Sequence, residues 1–63
     1  MKNNIYVIRK EKNLTLKQLS VLTNLSIGYL CHLENGTRVN PSMNTMAKIC
    51  TALDASLSDV FNV

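Results

Sequence analysis

Cys31 and His32 stand side by side in the stretch SIGYLCHLENG, residues 26–36, and they are the side chains here with the most chemistry to offer. A histidine binds a metal when Cys, Asp or a second His completes the set, and His32 is the sole histidine, with no such partners at ligand spacing. Cys31 and Cys50 form no CxxC pair. No nucleophile stands beside a base in a catalytic pattern, and the three Met residues are the initiator and helix positions rather than a ligand box. The sequence therefore predicts no metal, no cofactor and no enzyme. An oxidised or modified thiol at an outward Cys31 would block whatever docks there, although an inert surface residue is the commoner role for such a position.

The chain has 63 residues, room for one domain spanning 1–63. A domain of this size buries only about 60% of the surface of its unfolded chain, so its stability margin is narrow. Hydrophobic residues make up 46% of the sequence and are evenly spread, which argues against disorder. Seven Lys and Arg against four Asp and Glu give a net charge of +3, a balance that suits a polyanionic partner. The apolar run Ile5 to Ile8 is too short for a signal peptide, and nothing approaches a membrane span. A reduced, cytoplasmic protein with no membrane partner is expected.

The elements that must position these side chains are all helical, since apolar spacing follows the helix period throughout and no alternating run occurs. Asn13, Asn24, Asn35-Gly36 and Asn40-Pro41 punctuate the chain, and Asn tolerates the left-handed conformation that ends helices. A first helix, about Lys2 to Lys12, places Ile5, Ile8 and the stem of Arg9 on one face. A second begins at the capping box Thr15-x-x-Gln18, with Leu14 and Leu19 as a hydrophobic staple. A third begins at Ser26, with Leu25 and Leu30 in the same staple positions. Two stapled starts eleven residues apart predict two short helices around a tight corner, a helix-turn-helix over about 15–35. A fourth helix follows its cap Ser42 and is expected to bury Met43, Met46, Ala47, Cys50 and Leu53. A fifth, about 57–62, is capped by Ser56, carries Asp59 in its first turn and buries Val60 and Phe61.

With these elements in order, the run from Leu14 to Phe61 resembles the DNA-binding domain of the Cro/cI (XRE-type) helix-turn-helix regulators. The resemblance starts at Arg9 and rests on Leu14-Thr15, Leu19, Leu25-Ser26, Tyr29-Leu30, Leu33-Glu34-Asn35-Gly36, Arg38, Asn40-Pro41-Ser42 and the closing Ser56 to Phe61. The spacing from Gly36 to Pro41 is similar to that in Gram-positive biofilm and sporulation repressors of the family. It implies an all-α, compact five-helix, lambda-repressor-like fold. It also implies a small residue where helices two and three pack, here Ser20, and an ion pair between Arg9 and Glu34. Asn24 and Asn13 stand where the family usually has Gly. Leu16 stands where it commonly has a phosphate-binding Gln, so that contact is absent and Leu16 is free to cover the core.

The resemblance further implies a sequence-specific transcriptional regulator, a repressor binding a near-palindromic double-stranded DNA operator as a homodimer. Phosphate contacts would fall to Thr15, Lys17, Ser26, Tyr29, Asn35, Thr37, Arg38 and Asn40. With Leu30 and Leu33 turned inward, Gly28, Cys31, His32 and Asn35 face outward, flanked by Ile27 and Tyr29. Base contacts would fall to Ile27, Gly28, Cys31 and His32. Ile27 suits a thymine methyl, Gly28 a close backbone approach, and His32 donation to a guanine or a phosphate. This set lacks the Arg, Lys, Gln or Asn that match base edges bidentately, so direct readout is expected to be modest and assisted by DNA shape. The expected dimer surface is the C-terminal segment around Val60, Phe61 and Val63. The competing class is a protein-interaction module of the same fold, in which DNA binding is weak or secondary.

Overall fold

In the computed structural model, which describes residues 3–37 and 40–61, every helix after the first begins where a hydroxyl oxygen accepts one of that helix's free N–H groups. Thr15 caps α2 (Leu16–Thr23) with both halves of its capping box formed. Ser26 caps α3 (Ile27–Glu34), Ser42 caps α4 (Met43–Leu53), and Ser56 accepts from the Asp59 N–H at the head of α5 (Leu57–Phe61). The chain leaves these helices through left-handed residues: Asn24 after α2 at φ 60°, Gly36 after α3 at φ 71° and Asp54 after α4 at φ 53°. Asn13, at φ 58°, does the same two residues after α1 (Ile5–Glu11). Asn35 stays right-handed and passes the reversal to Gly36.

The first helix is shorter than the predicted Lys2 to Lys12 because the asparagines before it are committed elsewhere. Asn3 accepts the Ile5 N–H and donates its amide to the Leu33 carbonyl at 2.8 Å, reaching the last turn of α3. Asn4 donates its backbone N–H to Val60 O at 2.7 Å and its side-chain amide to Asp59 O at 2.8 Å, tying the same strap to α5. Lys2 lies outside the described residues.

Ile5, Leu19, Leu30, Leu33, Ile49, Leu53 and Val60 are fully buried, with Cys50 and Phe61 beside them, so each of the five helices contributes to one core. Leu14, Leu16, Leu25, Tyr29 and Met46 pack around its edge, and Leu16 covers core as its departure from the family pattern implied. Two expected core positions of α4 are wrong. Met43 is 64% exposed and Ala47 is exposed, while Ile49, which was not assigned, is fully buried. The buried stripe is Met46, Ile49, Cys50 and Leu53; Ala47 lies about 100° of helix rotation from Met46, and Met43 sits on the first turn, before the helix reaches the core. The C-terminal helix buries Val60 and Phe61 as expected, which bears on their second expected role in a dimer surface. Val60 and Phe61 are buried by their own chain, so they offer no free apolar surface to a second copy, and Val63 lies outside the described residues.

Arg9 is the buried cation of this small core, at 7% exposure. Its Nε donates to Glu34 Oε2 at 2.7 Å and its Nη2 to Glu34 Oε1 at 3.3 Å, while Nη1 donates to the Leu14 carbonyl at 2.8 Å. The Tyr6 ring stacks 5.3 Å from the guanidinium. Both side chains of the pair are only 8% exposed, so it is of the buried, hydrogen-bonded kind.

Removing one partner of such a pair costs about 3–5 kcal/mol, against a total stability of roughly 3–9 kcal/mol for a chain of this length. Arg9→Met is therefore expected to remove at least about a third of that stability, read as a lower urea midpoint by circular dichroism. The double substitution Arg9→Met with Glu34→Leu is expected to recover much of the loss, because it leaves no orphaned charge. Burial, and then the carboxylate of Asp59, push the Cys50 thiol above its ordinary value. As pH rises, the unfolded chain ionises this thiol first, so its contribution is intact below the ordinary thiol range and lost above it. The stability advantage of wild type over Cys50→Ala should accordingly shrink as urea titrations are carried to alkaline pH.

Candidate nucleic-acid interface

The corner between α2 and α3 is fixed from within. The Ser20 hydroxyl donates to the Leu25 carbonyl, and the buried Thr23 donates to Leu19 O at 2.7 Å while accepting weakly from Leu25 N at 3.4 Å. A larger residue at position 20 would lose the first of these bonds and crowd the corner. With the turn held by left-handed Asn24, Ser26 enters extended and accepts the Tyr29 N–H at 3.0 Å. The entry direction of α3 is thereby set before any of its outward side chains are considered.

Leu30 and Leu33 anchor the inner face of α3. Its outward stripe is then Ile27, Gly28, Cys31, His32 and Asn35, all of them exposed, with Tyr29 half-buried at the edge. A Cβ built on Gly28 would meet no heavy atom within 4 Å, so the backbone here is bare and accessible from outside. Asn35 turns its amide toward the Cys31 sulfur at 3.7 Å, one turn back along the same stripe. His32 is paired with Thr37 beyond the end of the helix: its Nδ1 lies 3.1 Å from Thr37 Oγ1. Thr37 also donates both its hydroxyl, at 3.0 Å, and its N–H, at 3.2 Å, to the His32 carbonyl.

At the head of α2, Thr15 and Lys17 are exposed within a single turn. The Thr15 hydroxyl is occupied by the Gln18 N–H at 3.0 Å, whereas the N–H groups of Leu16 and Lys17 precede the first intrahelical acceptor and point out of the helix start. Asn40 is exposed, and Arg38 lies outside the described residues. The structure thus joins Arg9 to Glu34, His32 to Thr37 and Cys31 to Asn35, and groups Thr15 with Lys17. Three further roles emerge here, of which only that of Asn3 belongs to a residue the sequence does not single out. Gln18 uses its oxygen in the capping box and keeps its amide hydrogens for another acceptor. Asn3 holds the end of α3. Thr37 orients His32, which could not be read from spacing because it depends on the reversal at Gly36.

Among the described residues no group of His, Cys, Asp and Glu could hold a metal ion, and no helix is long and apolar enough to cross a membrane.

A protein-family model for the helix-turn-helix matches residues 5–60, nearly the whole described chain. The chain belongs to the Cro/cI-type helix-turn-helix family of transcriptional regulators. It is 33% identical over 58 residues to the HTH-type transcriptional regulator SlrR of Bacillus subtilis, covering 92% of this chain and 38% of that protein. It is 41% identical over 56 residues to the immunity repressor protein of Bacillus phage phi105, covering 89% of this chain and 38% of the repressor. Among solved structures, the clp gene regulator ClgR from Corynebacterium glutamicum superposes with a TM-score of 0.81 at 38% identity, over 87% of this chain and 57% of that one. The chain therefore spans well under half the length of these curated relatives. The family is one of regulators rather than enzymes.

A substitution at Gly28 tests folding and recognition separately. Because added bulk meets nothing, Gly28→Ala is expected to stabilise the domain by about 0.4–1 kcal/mol through the unfolded chain, raising the urea midpoint. If the bare backbone serves close approach to DNA, the same variant will bind duplex DNA more weakly in an anisotropy titration. Opposite signs in the two assays are the expected outcome.

Proposed function

We propose that this domain, acting as a single unit over residues 1–63, represses transcription in the cytoplasm by binding a near-palindromic operator as a homodimer. The observation that carries the reading is the division of α3. Its inner face is locked by Leu30, Leu33 and the Arg9–Glu34 pair, while Ile27, Gly28, Cys31 and His32 face outward, with only the His32–Thr37 bonds and the long Asn35–Cys31 contact on that stripe among the described residues. A helix held so firmly and left so open on one side suits insertion into a major groove, where Ile27 would meet a thymine methyl and Gly28 would allow close approach.

Positioning would come from the start of α2, where Thr15, Lys17 and the free N–H groups attract phosphate. A second phosphate run would meet Ser26, Tyr29, Asn35, Thr37, Arg38 and Asn40. The net charge of +3 supports attraction to a polyanion. The repressor reading is supported by the phage relative, which is an immunity repressor. Dimerisation is proposed because one domain of this size makes few contacts, and two recognition helices one DNA turn apart gain both affinity and specificity. With Val60 and Phe61 buried, a dimer surface would draw on other residues, and Val63 lies outside those described.

One observation favours a second reading, a module that docks a protein partner. Val21, Leu22 and Met43 are 75%, 59% and 64% exposed, and Leu22 borders an open groove with Asn44, Ala47, Lys48, Thr51 and Ala52.

Salt separates the two readings. Fluorescence-anisotropy titrations against the protein's own upstream promoter DNA and a scrambled duplex, at several salt concentrations, should show tighter binding to the promoter. Affinity should fall linearly on log–log axes, with Lys17→Ala lowering the slope by about 1. Equal binding to both duplexes would mean docking without readout. No binding to either would favour the protein partner, whose apolar interface should hardly respond to salt.

A further inference from the structure

His32 has its ring nitrogens assigned unequal roles by Thr37, and the assignment decides which base edge the side chain can read. Thr37 Oγ1 lies 3.0 Å from the His32 carbonyl oxygen and 3.1 Å from His32 Nδ1. Two oxygens so close require a proton between them, and the carbonyl carries none, so the single hydroxyl hydrogen of Thr37 points at the carbonyl. Toward the ring the hydroxyl then offers only lone pairs, and Nδ1 must supply the proton of that contact. A neutral imidazole has one N–H. Nε2, the ring nitrogen with no partner among the described residues, is therefore a bare acceptor. The Thr37 N–H bond to the same carbonyl, at 3.2 Å, fixes the threonine and so the arrangement. One turn before His32, the bare backbone of Gly28 leaves space for a base edge to come in.

We infer that His32 is a specificity-determining residue that accepts a hydrogen bond through Nε2 from an exocyclic amine, cytosine N4 or adenine N6, in the major groove. This rests on the proposed insertion of α3 into DNA. It reverses the expectation that His32 donates to a guanine or a phosphate. Guanine presents only acceptors, N7 and O6, in the major groove, and a lone pair facing a lone pair is repulsive. Thr37 is a positioning residue: returned to the end of α3 by the reversal at Gly36, it acts on the base only through the ring.

The test has two arms. In the free protein at mildly alkaline pH, two-bond proton–nitrogen NMR correlations of the imidazole show which nitrogen is protonated. Nδ1–H is expected in wild type and in Thr37→Ser, and a shift toward Nε2–H in Thr37→Val. An Nε2–H ring in wild type overturns the inference whether or not DNA is bound. The second arm uses a duplex site selected by wild type from a random library and base analogues at each position. Deleting the amine, by purine for adenine or 2-pyrimidinone for cytosine, should weaken wild type about five- to tenfold at one position and leave His32→Ala unaffected. If 7-deazaguanine produces that pattern instead, or if no analogue separates the two proteins, the inference is wrong. Failure to bind any duplex would overturn the proposed function as well, which the NMR arm does not depend on.

Discussion

A guanidinium buried in a core of nine apolar side chains is an unusual expense for a domain this small, and most of the architecture is arranged around keeping it satisfied. Arg9 projects from α1, takes the carboxylate at the end of α3 in a two-bond grip and uses its remaining arm on the carbonyl that precedes α2. One side chain thereby links α1, the end of α3 and the segment that enters α2. An aliphatic residue at this place would hold the same volume but not the same direction, because dispersion is indifferent to orientation whereas a bidentate pair is not. Glu34 is the last residue of the outward-facing helix, so what the pair fixes is the pitch and rotation of that helix relative to the rest. Asn3 adds a second tether to the same turn, through the Leu33 carbonyl.

That arrangement explains how so short a helix can keep an unpartnered face. α3 has eight residues, too few to be stable alone in water. Its order is imposed from both ends and from one side: Ser26 at the start, Glu34 and Leu33 at the finish, Leu30 and Leu33 beneath. The outward residues between these anchors, Gly28, Cys31 and His32, take no part in the core. Gly28, a poor helix former, is tolerated there, and the side chains of Cys31 and His32 are free to be chosen by what they meet outside the protein.

Much of the fold was legible because its signals are local. Thr15-x-x-Gln18, Ser26, Ser42 and Ser56 announce helix starts by chemistry that acts within three residues, and each forms the bond its position implies. Asn13 and Asn24 were readable for the same reason. What was misread depends on where a helix sits against the others. Periodicity gives an angle around the α4 axis but not the height at which the core begins, so it does not show that Met43 lies outside the core. Val60 and Phe61 were expected to serve both the core and a second copy, and whether their own chain consumes them entirely is a tertiary fact.

The candidate site divides along the same line. Which residues of α3 face outward follows from Leu30 and Leu33 facing in, and the sequence sufficed for that. The state in which His32 faces outward does not follow, because it requires the chain to reverse at Gly36 and return Thr37 to the helix end it has just left. A histidine is ambiguous as a reader, able to donate or accept at either nitrogen, and ambiguity is costly to specificity. In the arrangement we infer, Thr37 removes it with one hydroxyl, placing its proton on the backbone carbonyl so that the ring supplies its own. The lack of a bidentate Arg or Gln on this helix is then less of a deficit than the side-chain inventory suggests, since a single acceptor held in one orientation can exclude a mismatched edge by repulsion as well as by loss of a bond.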